Sequence, residues 1–118
     1  MTPEHFVHSL KEECRDGAVR DCVGAFLNPP GRRPPESLLR LSHWFKALSP
    51  SDQQMVAEAM QESADATLFG VLCVIDGVRV IEPAAEKSEF ELTATRAGVT
   101  SRVSPSETYL HDLLRGET

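Results

Sequence analysis

The stretch Ser49–Glu82, SPSDQQMVAEAMQESADATLFGVLCVIDGVRVIE, decides the fold. Ser49 can accept a hydrogen bond from the first free N–H groups of a helix. Pro50 suits the first helical position, where its missing donor costs nothing. Asp52 answers Ser49 three residues on, in the manner of a capping box. Met55, Val56, Ala59, Met60, Ser63, Ala66 and Thr67 then recur at helical spacing. The run ends in Leu68–Ile75, apolar nearly all round, and 66–75 is expected to be buried with the other segments wrapped about it. Two forms compete for its end. A helix unbroken from Pro50 to Ile75 would be about 39 Å long at 1.5 Å per residue. Alternatively Gly70 ends the helix, and Val71–Ile75 pairs with Val78–Glu82 across an Asp76-Gly77 turn. No turn chemistry separates the Ala-rich segment from Leu68-Phe69, so the unbroken helix is the expected form.

Upstream, Thr2-Pro3 starts a helix over 3–16 with Phe6, Val7, Leu10 and Cys14 on one stripe. Gly17 is expected to end it with a left-handed cap, and Asp16 to cap a second helix over 18–27. Asn28–Pro35, NPPGRRPP, excludes helix and internal strand. A third helix over 36–48 places Leu38, Leu41, Phe45 and Leu48 on one face, with Trp44 at the edge of the core. Downstream, Glu89–Thr95 alternates, with Phe90, Leu92 and Ala94 inward. Arg96-Ala97-Gly98 makes a turn, and Val99 and Val103 face inward on the return strand, giving a hairpin over 88–104. Ser104-Pro105-Ser106-Glu107 repeats the chemistry of Ser49–Asp52 and predicts a last helix over 105–115, stopped by Gly116. The fold class is therefore α+β: mainly helical, about five helices, with a small C-terminal antiparallel β-hairpin. At 118 residues the chain is read as a single globular domain, 1–118.

Composition bounds the function. The net charge of −6 makes a poor grip for phosphate backbones, so nucleic acid is not an expected partner. No apolar run reaches the ~20 residues that span a bilayer, and no signal peptide is recognisable, so a cytoplasmic location without membrane contact is expected. Three cysteines outside any CxxC pair, Cys14, Cys22 and Cys73, are expected to be free, mostly buried thiols in a reducing compartment. His5, His8 and Glu12 share one side of the first helix, but no further ligand follows at diagnostic spacing, and neither metal nor cofactor is expected. Cys73 with His111 and Asp112 offers a nucleophile, a base and an orienting acid. Cys73 nevertheless lies in the most apolar window, where a thiolate is disfavoured.

The charge is lopsided. Residues 1–59 carry 7 basic and 8 acidic side chains, a balance of −1; residues 60–118 carry 5 and 10, a balance of −5. Glu82, Glu86, Glu89 and Glu91 concentrate the excess, and Arg32-Arg33 is the only adjacent basic pair. These six residues are the expected partner-binding set. The acids suit a protein partner with a basic surface, and the leading reading is a non-enzymatic interaction protein, in its sharpest form an inhibitor or immunity protein against a bacterial toxin or effector. The alternatives are a small enzyme or ligand binder using Cys73, His111 and Asp112, and a homodimer joined through the apolar central stretch. The runs NPPGRRPP, LSHWFKALSPSDQQM, ADATLFGVLCVIDGVRVIE and YLHDLL resemble a family of small bacterial proteins with no assigned activity. That resemblance implies a bacterial, cytoplasmic, single-domain protein and assigns no residue a role.

Overall fold

The helix that begins at Pro50 runs unbroken for 26 residues to Ile75 in the computed structural model, which describes residues 1–83 and 85–116. Around this helix, α4, stand α1 (Pro3–Leu10), α2 (Gly17–Leu27), α3 (Glu36–Ala47), the strands β1 (Leu92–Arg96) and β2 (Val99–Ser104), and α5 (Leu110–Arg115). The architecture is mainly helical α+β with one antiparallel two-stranded sheet. Ser49 Oγ accepts the Asp52 N–H at 3.1 Å, and Thr2 Oγ1 does the same for His5 at the start of α1. At the far end of α4 the Asp-Gly pair is a helix stop, not a hairpin turn. Gly77 adopts φ +80°, its N–H donates to Val74 O, and the Val78 N–H donates to Cys73 O. Those two bonds are the Schellman pattern, which satisfies carbonyls a frayed end would leave bare.

Gly17 does not end the first helix. It sits at φ −61°, ψ −41°, and a π-helical segment, Lys11–Asp16, joins α1 to α2 in one continuous helical run. The Gly17 N–H donates to Glu12 O, five residues back. A Cβ at this position would lie 3.4 Å from that carbonyl and 3.3 Å from the Arg20 guanidinium. The glycine thus serves close approach inside a widened turn. Asp16 caps nothing; its carboxylate turns outward to α4.

The main core forms where one end of the long helix meets the chain's later elements. Val7 of α1, Leu72 of α4, Val103 of β2, and Leu110 and Leu114 of α5 are buried together, with Phe6, Leu10, Phe69 and Leu92 against them. A second apolar centre joins α2 to α3. Phe26 and Phe45 pack with ring centroids 5.5 Å apart, and the Ser42 hydroxyl donates to the Phe26 carbonyl. That bond turns Ser42 inward, so α3 buries Ser42 and Phe45 and leaves Leu41 and Trp44 largely exposed.

The hairpin is shorter than 88–104. Arg96 faces Val99 across Ala97-Gly98, both with positive φ, 51° and 78°. Leu92 lies opposite Ser104 while Thr93 lies opposite Arg102, so Val103 is a bulge residue. The bulge lets the adjacent Val103 and Ser104 both be buried, against the alternation of a regular strand. Phe90 precedes the strand and Val99 sits at the turn end; both are exposed rather than inward.

The final helix starts at Leu110, not at 105. Ser104 is the last residue of β2, and Tyr109 at the N-cap offers no side-chain bond. The helix is capped from elsewhere, as described below. Gly116 ends it at φ +70°, as the sequence predicts.

Candidate functional site

Asp76 gathers three hydrogen bonds on one carboxylate. It closes α4, yet its carboxylate serves α5. Oδ1 accepts the Leu110 N–H at 3.0 Å and Oδ2 accepts the His111 N–H at 2.9 Å. The same Oδ2 stands 2.7 Å from His111 Nδ1. A carboxylate can only accept, so Nδ1 carries the hydrogen. The Asp76 side chain is 2% exposed. Burying it is tolerable because three donors converge on it and the N-terminal end of a helix points at it. His111 Nε2 faces Asp112 Oδ1 at 3.3 Å, and the ring stacks on Tyr109 and meets the edge of Phe69.

His111 is thus held through Nδ1 by Asp76, while Nε2 lies beside Asp112. No hydrogen bond joins Cys73 Sγ to His111 among the described residues. Cys73 is buried, and burial pushes its thiol above the ordinary value of 9.0. A group whose folded pKa is raised stabilises the native state below its unfolded value and loses that contribution as pH rises through the folded one. Because Cys73 is buried and its thiolate disfavoured, Ellman titration of a Cys14→Ser/Cys22→Ser variant is expected to leave it unreacted in the native protein at mildly alkaline pH. Strong denaturant should release it at once. Rapid native reaction would mean that the thiol is open to solvent.

A second polar cluster ties the π-helical segment to α4. Arg15 donates to Asp65 at 2.9 Å, and Gln61 Nε2 donates to Asp16 Oδ1 at 2.8 Å. Neighbouring residues of the segment therefore grip positions four apart on α4, one turn of that helix. The hydrogen bond from Arg15, then that from Gln61, lowers the Asp16 pKa. Arg115 of α5 also pairs with Asp65, and its guanidinium lies 4.2 Å above the centre of the Phe69 ring.

The expected partner-binding acids meet a different fate from one another. Glu82 takes the Ser88 N–H at 2.9 Å and the Ser88 hydroxyl at 3.0 Å, so it holds its own loop closed. Glu91 pairs with Arg102 across the hairpin base at 2.9 Å. Glu89 carries neither bond among those of the described residues. Glu82, Glu89 and Glu91 border one cleft of about 520 Å³, between the end of α4, the segment after it, and the end of β2. Arg79, Lys87 and Arg102 border it too, so its walls are mixed in charge. Glu86 is exposed outside that cleft, and Arg32 and Arg33 are exposed in the α2–α3 loop, also outside it. Around the cleft Val80, Ile81 and Phe90 are exposed apolar side chains. His8 and Glu12 form an exposed pair at 3.2 Å on the first helical run, and no three metal-ligating side chains gather among the described residues.

The stretch 66–75 is buried on one side only. Gly70, Leu72 and Cys73 are inside, whereas Val71 is 51% exposed and Ala66 and Thr67 face outward. Val71 borders an open groove of about 440 Å³ between the π-helical segment with α2 and the middle of α4. The expectation of burial fails because the later elements all gather on the Leu72 side.

Sequence reasoning passed over Asp65 and read Asp76 only as part of a turn or helix stop. They are the only acids between Glu62 and Glu82, standing in a stretch of small and apolar residues. An isolated acid there must find donors elsewhere in the chain, which is the signal that would have flagged them. No family model matches the chain, and neither a curated protein nor a solved structure does. Among the described residues no helix is long and apolar enough to cross a membrane.

Proposed function

We propose that this chain is a non-enzymatic interaction protein of the bacterial cytoplasm, and that its C-terminal cleft docks a protein with a basic surface. An inhibitor or immunity protein against a toxin or effector is the sharpest form of that role. The observation that supports it best is the company Glu89 keeps. An acid without an intramolecular partner among the described residues stands at a cleft edged by exposed Val80, Ile81 and Phe90. Apolar anchors beside an unpaired charge suit a Lys- or Arg-bearing protein surface, where aromatic and aliphatic contacts hold and charge selects. Glu86 adds negative potential at the approach, and Arg32 and Arg33 offer a separate contact for an anionic group on the α2–α3 loop. Cys14 and Cys22 are exposed where buried thiols were expected, and free exposed thiols suit a reducing compartment.

The test begins with a partner captured from the native cell, then purified and titrated. The complex is expected to weaken as salt rises, because exposed charges are screened. A Glu89→Lys/Glu91→Lys variant should bind at least about tenfold more weakly, roughly 1.4 kcal/mol. Binding that ignores both salt and the double reversal would remove the cleft from the interaction.

A further inference from the structure

The chain exposes far more surface than its size requires. Its accessible area is 8436 Å², whereas a compact monomer of its mass exposes about 6,300 Å². Its radius of gyration is 18.1 Å, against about 13.5 Å for a compact chain of this length. The excess of about 2,100 Å² falls within what each subunit of an obligate homodimer contributes, roughly 1,000–2,500 Å².

That excess is spread over the whole chain, and the groove beside Val71 is one part of it. Its walls are Cys14, Val19, Cys22, Met60, Leu68 and Val71, with small residues between them, and none of its lining side chains carries a charge at neutral pH. The Thr67 hydroxyl at its floor is turned back onto the Ser63 carbonyl at 2.9 Å, so even that donor is satisfied inside the helix. A basic partner would find no acid there. A second copy of a chain with net charge −6 can approach through this face without bringing like charges into contact.

We infer that this groove is a homodimer interface, in which the α2–α4 faces of two copies close on each other about a two-fold axis. Two helices from each copy then complete a four-helix layer, the small groove residues admitting the side chains of the partner. In such an arrangement Val71 is presented twice, once from each subunit, and Cys22 becomes covered. This interface lies apart from the cleft of the proposed function and does not depend on it.

Light scattering coupled to gel filtration, over a wide range of protein concentration, is the test. The wild-type protein is expected at the mass of two chains. A Val71→Glu variant should run at the mass of one chain, with at least about 100-fold weaker association and an unchanged circular dichroism spectrum. Val71 is half exposed within the chain, so the substitution leaves the fold intact. Maleimide labelling of Cys22 in the wild type should slow several-fold as dimer accumulates, and in Val71→Glu it should not. The Glu89→Lys/Glu91→Lys variant should keep the mass of two chains, which separates this interface from the acidic cleft. A wild-type mass of one chain at every concentration, or a dimer that Val71→Glu leaves whole, would overturn the assignment.

Discussion

Asp76→Ala is expected to lower the unfolding free energy by about 3–4 kcal/mol, read from urea transitions at a fixed protomer concentration. The alanine removes the acceptor for two backbone N–H groups and for His111 Nδ1. A hydrogen bond to a charged group contributes about 1.5–3 kcal/mol, and a buried donor left bare adds a desolvation cost. Water entering the space recovers part of this, so the estimate lies below the simple total. Asp76→Asn should lose about half as much, since its carbonyl oxygen still accepts from one of the two amides. A loss under about 1 kcal/mol for Asp76→Ala, on the scale of a single exposed cap, would show that α5 stands without this carboxylate.

Leu72→Ala should cost about 3 kcal/mol, with a transition at lower urea and an unchanged slope. Leu72 is fully buried among Val7, Val103, Leu110 and Leu114. These come from three separate elements, α1, β2 and α5, so no single one can shift to fill the space. The cost then combines lost transfer energy with a residual cavity. Val71→Ala, one residue earlier on the opposite side of α4, is the internal control and should change monomer stability by less than about 0.5 kcal/mol. Equal losses at the two positions would contradict the one-sided burial of this helix.

Local chemistry carried the helical elements. Thr2, Ser49 and Gly116 act where their types and neighbours place them, because capping is settled within three or four residues. Three features were decided at longer range. Gly17 looks like a stop, but the Arg15–Asp65 and Asp16–Gln61 bonds draw the helix on across it. Ser104-Pro105 looks like a start, but Ser104 is held in β2, and α5 waits for a cap from a residue 34 positions away. The bulge at Val103 reverses the faces of the last strand residues, which an alternating pattern cannot foretell. The acids after α4 were legible as a cluster. Which of them would be spent on Ser88 and Arg102 was not, because that depends on how the loop folds back.

A helix of six residues cannot hold itself in water, and here the first turn is completed by a group from the other side of a long excursion. Bringing Asp76 to Leu110 closes a loop whose entropic cost grows to about 3 kcal/mol for 34 residues. Asp76 therefore makes the two helices conditional on each other: the opening turn of α5 and the buried carboxylate that ends α4 satisfy one another.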